Sequence, residues 1–140
     1  MKDFKNMTFE IVDLTVNAMP DMFVNRSGIT FTKKVLEDLN YPANVQYCIN
    51  AESKVFAVRA CKSNETKPTP FSKPRAEQTQ TCSTSNKNLV ESVKLLMPKD
   101  YDSSKRYKVA GHFEPETRTM YFDMDEAVID MFRQPKSEEE

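Results

Sequence analysis

The stretch Val45-Gln46-Tyr47-Cys48-Ile49, broken at Asn50–Ser53 and resumed as Lys54-Val55-Phe56-Ala57-Val58-Arg59-Ala60, decides the fold. Val45, Tyr47 and Ile49 share one face and Gln46, Cys48 and Asn50 the other, which is the period of a half-buried strand. Two such runs with a polar break between them read as a hairpin. The pattern returns in Tyr107–Phe113, a break at Glu114–Thr117, and Arg118–Met124. The two hairpins superpose at a constant offset of 64, setting Val45 on Val109, Ile49 on Phe113, Lys54 on Arg118, Phe56 on Met120 and Val58 on Phe122.

Outward from each hairpin the match continues. Ile29-Thr30-Phe31-Thr32 reads as a strand leading into a helix over Lys33–Leu39, with Thr32 as its N-cap and Val35, Leu36 and Leu39 on one stripe. Asn40-Tyr41-Pro42 ends it, because proline disfavours helical geometry in the residue before it. In the second copy Thr81–Thr84 leads into a helix over Lys87–Met97, with Leu89, Val90, Val93, Leu96 and Met97 on one stripe and Pro98 after it. Each half reads βαββ, a tandem duplication. Neither half alone covers its apolar ribbon, so the expectation is one α+β domain in which two repeats close about a pseudo-twofold axis into a barrel-like core. The expected domain spans residues 1–133: repeat 1 over about 29–60, a linker over 61–80, repeat 2 over about 81–124 and a closing helix over 125–133. Residues 134–140 form an acidic tail. Thr8–Val16 reads as a further strand, and Asn17–Gly28 as a loop in which Met22-Phe23-Val24 can form a short one.

The bulk numbers fit a polar globular chain: 140 residues, 39% hydrophobic, mean hydropathy -0.65. Two glycines against eight prolines leave few positions free to take positive φ, so turns are expected to rely on Asn, Asp and Pro. Three cysteines, an odd number, argue against a disulfide framework and for a reducing cytosol. No apolar run approaches the roughly 18 residues that cross a bilayer, and Met1–Asn6 lacks the apolar stretch of a signal peptide. The expectation is a cytoplasmic protein that does not contact membranes. Charge is uneven. Residues 61–110 hold ten Lys and Arg against five acids, and residues 111–140 hold three against nine. Such asymmetry suits a polyanion-facing surface or self-association; two solvated faces would look the same.

Chemistry is hard to assemble. His112 is the only histidine, and the spacing selects no partner for it as a general base. Cys48, Cys61, Cys82 and His112 have the atom types for zinc without the paired short spacings of a zinc site. Two glycines leave no phosphate-cradling loop. Asp123, Asp125 and Glu126 read as caps at a strand-to-helix junction. No catalytic residue, metal or cofactor is expected.

Gly28-Ile29-Thr30-Phe31-Thr32-Lys33-Lys34-Val35-Leu36-Glu37-Asp38-Leu39-Asn40-Tyr41-Pro42 with the hairpin Val45–Ala60 resembles the AbrB-type swapped-hairpin module of bacterial transition-state regulators and antitoxins, over about 33 residues. Gly28 matches the family's leading glycine, Ile29 and Phe31 its strand, Thr32-Lys33 its helix start and Leu39-Asn40-Tyr41 its turn. Arg26 stands for the basic residue beside the glycine; the second half offers Asn86-Lys87 with no glycine. In that family two chains interleave hairpins and the sheet presents arginines to DNA. The resemblance thus implies a fused pseudo-dimer with a role in transcription regulation, whether it stays a monomer or pairs as a homodimer.

The residues expected to contact nucleic acid are Lys62, Lys67, Lys73 and Arg75 in the linker, with Phe71 to stack on a base. Lys33, Lys34 and Lys87 at the two helix starts join them, and Arg26 by the resemblance. The alternative is a protein-binding inhibitor of a bacterial nuclease, antitoxin-like or of anti-CRISPR type, whose acidic 111–140 region mimics a nucleic-acid backbone. An accessory protein with neither role is a third reading.

Overall fold

Alternating apolar residues build strands here, and short polar breaks turn them back on one another. The computed structural model describes residues 2–12, 19–78 and 81–130. Its strands are β1 (Asp21–Val24), β2 (Ile29–Phe31), β3 (Asn44–Asn50), β4 (Val55–Cys61), β5 (Thr69–Pro70), β6 (Cys82–Thr84), β7 (Tyr107–Glu114), β8 (Thr119–Asp123) and β9 (Val128–Ile129), with helices α1 (Lys33–Asp38) and α2 (Lys87–Lys94). Among the described residues they form one antiparallel sheet in the order β5-β3-β4-β8-β7-β1-β2-β6, with β9 on β7. The architecture is strand-rich α+β, a sheet curled into a half-barrel over its core. No helix among the described residues is long and apolar enough to cross a membrane.

The two hairpins lie side by side through β4 and β8, with Phe56 opposite Phe122, Ala57 opposite Tyr121 and Val58 opposite Met120. Two hydrogen bonds tie the turns across this junction: Ala60 N–H donates to the Arg118 carbonyl (3.0 Å) and Met124 N–H to the Lys54 carbonyl (2.9 Å). Phe56, Val58, Met120 and Phe122 are fully buried, each worth about 1.5–3 kcal/mol. Phe31 is the hub of a ring cluster, with centroids 6.5 Å from Phe56, 6.0 Å from Phe122, 6.4 Å from Tyr47 and 5.5 Å from Phe71.

Strand β7 serves three neighbours, β9 at its start and two others in turn. Tyr107–Ala110 pair with β1, and Gly111–Glu114 pair with β8. The switch falls on Gly111, whose N–H donates to the Pro20 carbonyl at 2.7 Å. A Cβ there would stand 2.8 Å from that carbonyl and 2.7 Å from Met120 Sδ, so any other residue forces its neighbours to shift.

Several local expectations are corrected. The left-handed positions are held by Asn40 (φ 62°), Tyr41 (49°), Lys54 (57°), Lys67 (48°) and Arg118 (48°). Of these only Asn40 is a residue that tolerates the region well, and the others each cost about 1–2 kcal/mol. Thr32 occupies the N-cap position of α1 without capping it. Its hydroxyl donates to the Met19 carbonyl (3.1 Å) and accepts from Asp21 N–H (3.0 Å), tying the start of β1 to the end of β2. Asn86 does cap α2, accepting from Leu89 N–H at 3.1 Å. Helix α2 stops at Lys94, and Leu96 and Met97 stay buried through tighter turns to Val93 and Lys94. In place of a closing helix from residue 125, the chain makes a 3-10 turn (Met124–Glu126) and then β9, because Tyr107 and Lys108 offer a free edge for Ile129 and Val128. Residues 131–133 and the tail 134–140 lie outside the described residues. Residues 8–12 of the expected strand 8–16 have no regular structure, and residues 13–16 also lie outside the description.

Candidate binding surface at the open end of the sheet

The sheet has two ends, β5 and β6, and its curl brings them to opposite walls of one cleft. The cleft holds about 270 Å³ and is lined by Tyr47, Thr69, Pro70, Phe71, Cys82, Ser83, Thr84, Asn86 and Leu89. No ladder joins β5 to β6. The contact across is a thiol bond, Cys82 Sγ–H donating to the Phe71 carbonyl at 3.3 Å. Phe71 is held by Phe71 N–H to the Ala43 carbonyl (2.8 Å), so its ring turns inward onto Phe31 and Tyr47. The linker is therefore a wall of the cleft, and its one aromatic side chain belongs to the core.

Burial governs the ionisable groups. It pushes the Tyr47 phenol upward and the Cys82 thiol up to about 11, so both stay protonated at neutral pH. A protonated thiol is a poor nucleophile, so Cys82 is not activated in this cleft.

The predicted cations separate into two sets. Lys67 stands two residues before Thr69, Lys73 two residues after Phe71, and Lys87 directly after Asn86; all three are exposed and lie within two residues, along the chain, of residues that line the cleft. Arg26 sits in the β1–β2 turn, where Gly28 approaches within 3.2 Å of the Thr84 carbonyl measured from its Cβ position. Lys94 Nζ donates to the Arg26 carbonyl. Elsewhere charge is spent locally. Lys34 pairs with Asp38 (3.0 Å) and Glu37 (3.2 Å), and these two bonds, Asp38 first, raise its pKa. Arg75 reaches Glu37 at 3.8 Å and lies 6.0 Å from the Tyr41 ring centre. Lys33 is half-buried at the start of α1. Lys62, beyond the end of β4, is not in this group: its backbone N–H donates to Glu65 Oε2 at 2.7 Å, while its exposed side chain is in no ion pair with another described residue.

On the outer sheet face His112 Nε2 lies 3.0 Å from Glu126 Oε1 beside exposed Tyr121. Among the described residues no three His, Cys, Asp or Glu side chains gather to hold a metal ion. Tyr47, Thr69, Cys82 and Leu89 escaped sequence reasoning. Their types mark core or edge residues, and only the curl of the sheet places them around one cleft.

Comparison with known proteins returns no matching family model, no matching curated protein and no matching solved structure.

Proposed function

We propose that this chain is a non-enzymatic regulatory protein of two fused AbrB-like βαββ units that binds nucleic acid along the basic border of its open cleft. The carrying observation is the exposure of Lys67, Lys73 and Lys87, each within two residues along the chain of a residue that lines the cleft, and none of them in an ion pair with another described residue. Exposed cations without acidic partners neutralise phosphates, and that term dominates sequence-independent affinity. The fused-repeat reading draws support from the bonds between the turns. At the offset of 64, Ala60 corresponds to Met124 and Lys54 to Arg118, so Ala60-to-Arg118 and Met124-to-Lys54 are one contact made twice, as a twofold axis requires. Three free cysteines accord with a reducing cytoplasm.

The test is fluorescence anisotropy with a labelled single-stranded oligonucleotide across a salt series. Replacing Lys67, Lys73 and Lys87 together by Glu should weaken binding at least tenfold and flatten the dependence on salt by about two units of slope. Equal affinity for wild type and variant at every salt concentration removes this function.

A second reading, a protein-binding inhibitor, is favoured by one observation: the edge strand β6, paired only with β2, forms one wall of the cleft, the geometry to which an extended peptide adds as a strand. A stoichiometric protein partner that survives nuclease treatment and is lost on Leu89→Arg would select it.

A further inference from the structure

Residues Thr8–Val12 (T-F-E-I-V) have the composition of a strand and no strand to join. Phe9 is 73% exposed, Ile11 98% and Val12 75%. Contiguous apolar side chains in water mark a surface that is covered in the working protein. The same chain carries the complementary half of a contact: a cleft between two sheet ends with an apolar floor of Tyr47, Phe71 and Leu89. Within one chain the two do not meet.

We infer that residues 8–12 of one copy lie as a strand in the β5–β6 cleft of a second copy, so that the protein associates by exchanging these arms. The alternation fits. With Phe9 and Ile11 facing the floor, Glu10 faces outward, on the side open to solvent, and exposed Lys73 and Lys87 follow the lining residues Phe71 and Asn86 in the chain. Backbone groups decide the rest. β6 pairs with β2 along one side and turns its other side to the cleft, so an added strand gains main-chain hydrogen bonds that water otherwise supplies. Two copies satisfy each other's arm and cleft at once, which closes the assembly. The association does not depend on nucleic-acid binding, because the three lysines are not among the residues that line the cleft and the arm lies on its floor.

Two measurements on the full chain test this. Light scattering behind size exclusion should give a dimer for wild type and a monomer for the double variant Phe9→Glu with Ile11→Glu, with the same circular dichroism spectrum. A monomeric wild type at high micromolar concentration overturns the proposal, as does a double variant that stays dimeric. The second measurement uses Cys82 as a reporter. One chain carries Ile11→Cys with all three native cysteines changed to Ser, and the other retains only Cys82. Mixed under mild oxidation, they should form a disulfide-linked heterodimer at least tenfold faster than in the presence of Phe9→Glu on the first chain. Placing Ile11→Cys and Cys82 in one chain should then give intermolecular bonds that increase with concentration. A bond formed within one chain, independent of concentration, would assign the arm to its own cleft, and no bond at all would remove the cleft as its site.

Discussion

Strands β1 and β2 meet in a ladder of Met22 with Phe31, Phe23 with Thr30 and Val24 with Ile29, whereas β5 and β6, around the same ring cluster, make none. The connections explain the difference. β1 turns into β2 through Asn25–Gly28, closed by Asn25 N–H on the Gly28 carbonyl at 2.8 Å. β5 reaches β6 only after residues 71–81, and it is itself Thr69-Pro70, between Pro68 and Pro74. Proline donates no backbone hydrogen bond, so β5 extends the sheet on the β3 side and offers little to a further strand. A short turn closes one junction and a proline-rich connection holds the other open. The cleft lies where the chain prevents the sheet from closing on itself.

The comparison is sharpened first by the rings that both junctions share. Phe31→Ala should cost about 3–5 kcal/mol in urea unfolding, since it removes contacts to four rings. Phe71→Ala, half-buried at the open end, should cost less than about half of that. Equal losses would mean that the β5–β6 side is as tightly built as the β1–β2 side. Gly111→Ala should cost about 1–3 kcal/mol, because the Pro20 carbonyl at 2.8 Å cannot retreat without breaking the bond that starts β1. An unchanged unfolding midpoint would show that the partner switch of β7 tolerates a side chain.

Thiol reactivity probes the open junction directly. With its pKa raised from 9.0 to about 11 by burial, Cys82 should react with a disulfide reagent at pH 8 about a hundredfold more slowly than an ordinary thiol, the rate climbing about tenfold per pH unit up to about 11. The sign for stability follows. The unfolded thiol releases its proton first as pH rises, so this contribution is full below about pH 9 and is lost progressively toward 11. A Cys82 as reactive as a free thiol would mean that the cleft stands wide open. The smallest effect separates the two hairpin turns. Lys54→Gly should stabilise by about 0.5–1 kcal/mol by relieving a left-handed residue, measured by thermal unfolding. Arg118→Gly should gain nothing, since the Arg118 guanidinium donates to the Leu39 carbonyl at 2.6 Å and that bond goes with it.

Much of the sheet could be read from the residues. The faces of β7 follow from a two-residue period that the strand carries in itself, whereas on β3 Val45 is buried and Tyr47 half-buried but Ile49, expected on the same face, is 53% exposed; Lys54 and Arg118, matched at the offset of 64, are both left-handed turn residues. The site was legible only in part. Lys67, Lys73 and Lys87 stand out as cations in a polar stretch, but Phe71 looked available for stacking because nothing local tells that its ring meets Phe31, forty residues away in the chain. The expected closing helix failed for a similar reason: Val128 and Ile129 found the edge of β7, and strand pairing outweighed a weak helical pattern.

Alternation, turn residues and prolines act between near neighbours in the chain, so the order of residues alone settled the strands of the two hairpins and where a connection resists pairing. Which strands became neighbours, which end of the sheet stayed open, and which side chains came to surround the cleft were settled by packing among residues far apart in the chain. Those contacts depend on the curl of the whole sheet, and no short stretch of sequence encodes it.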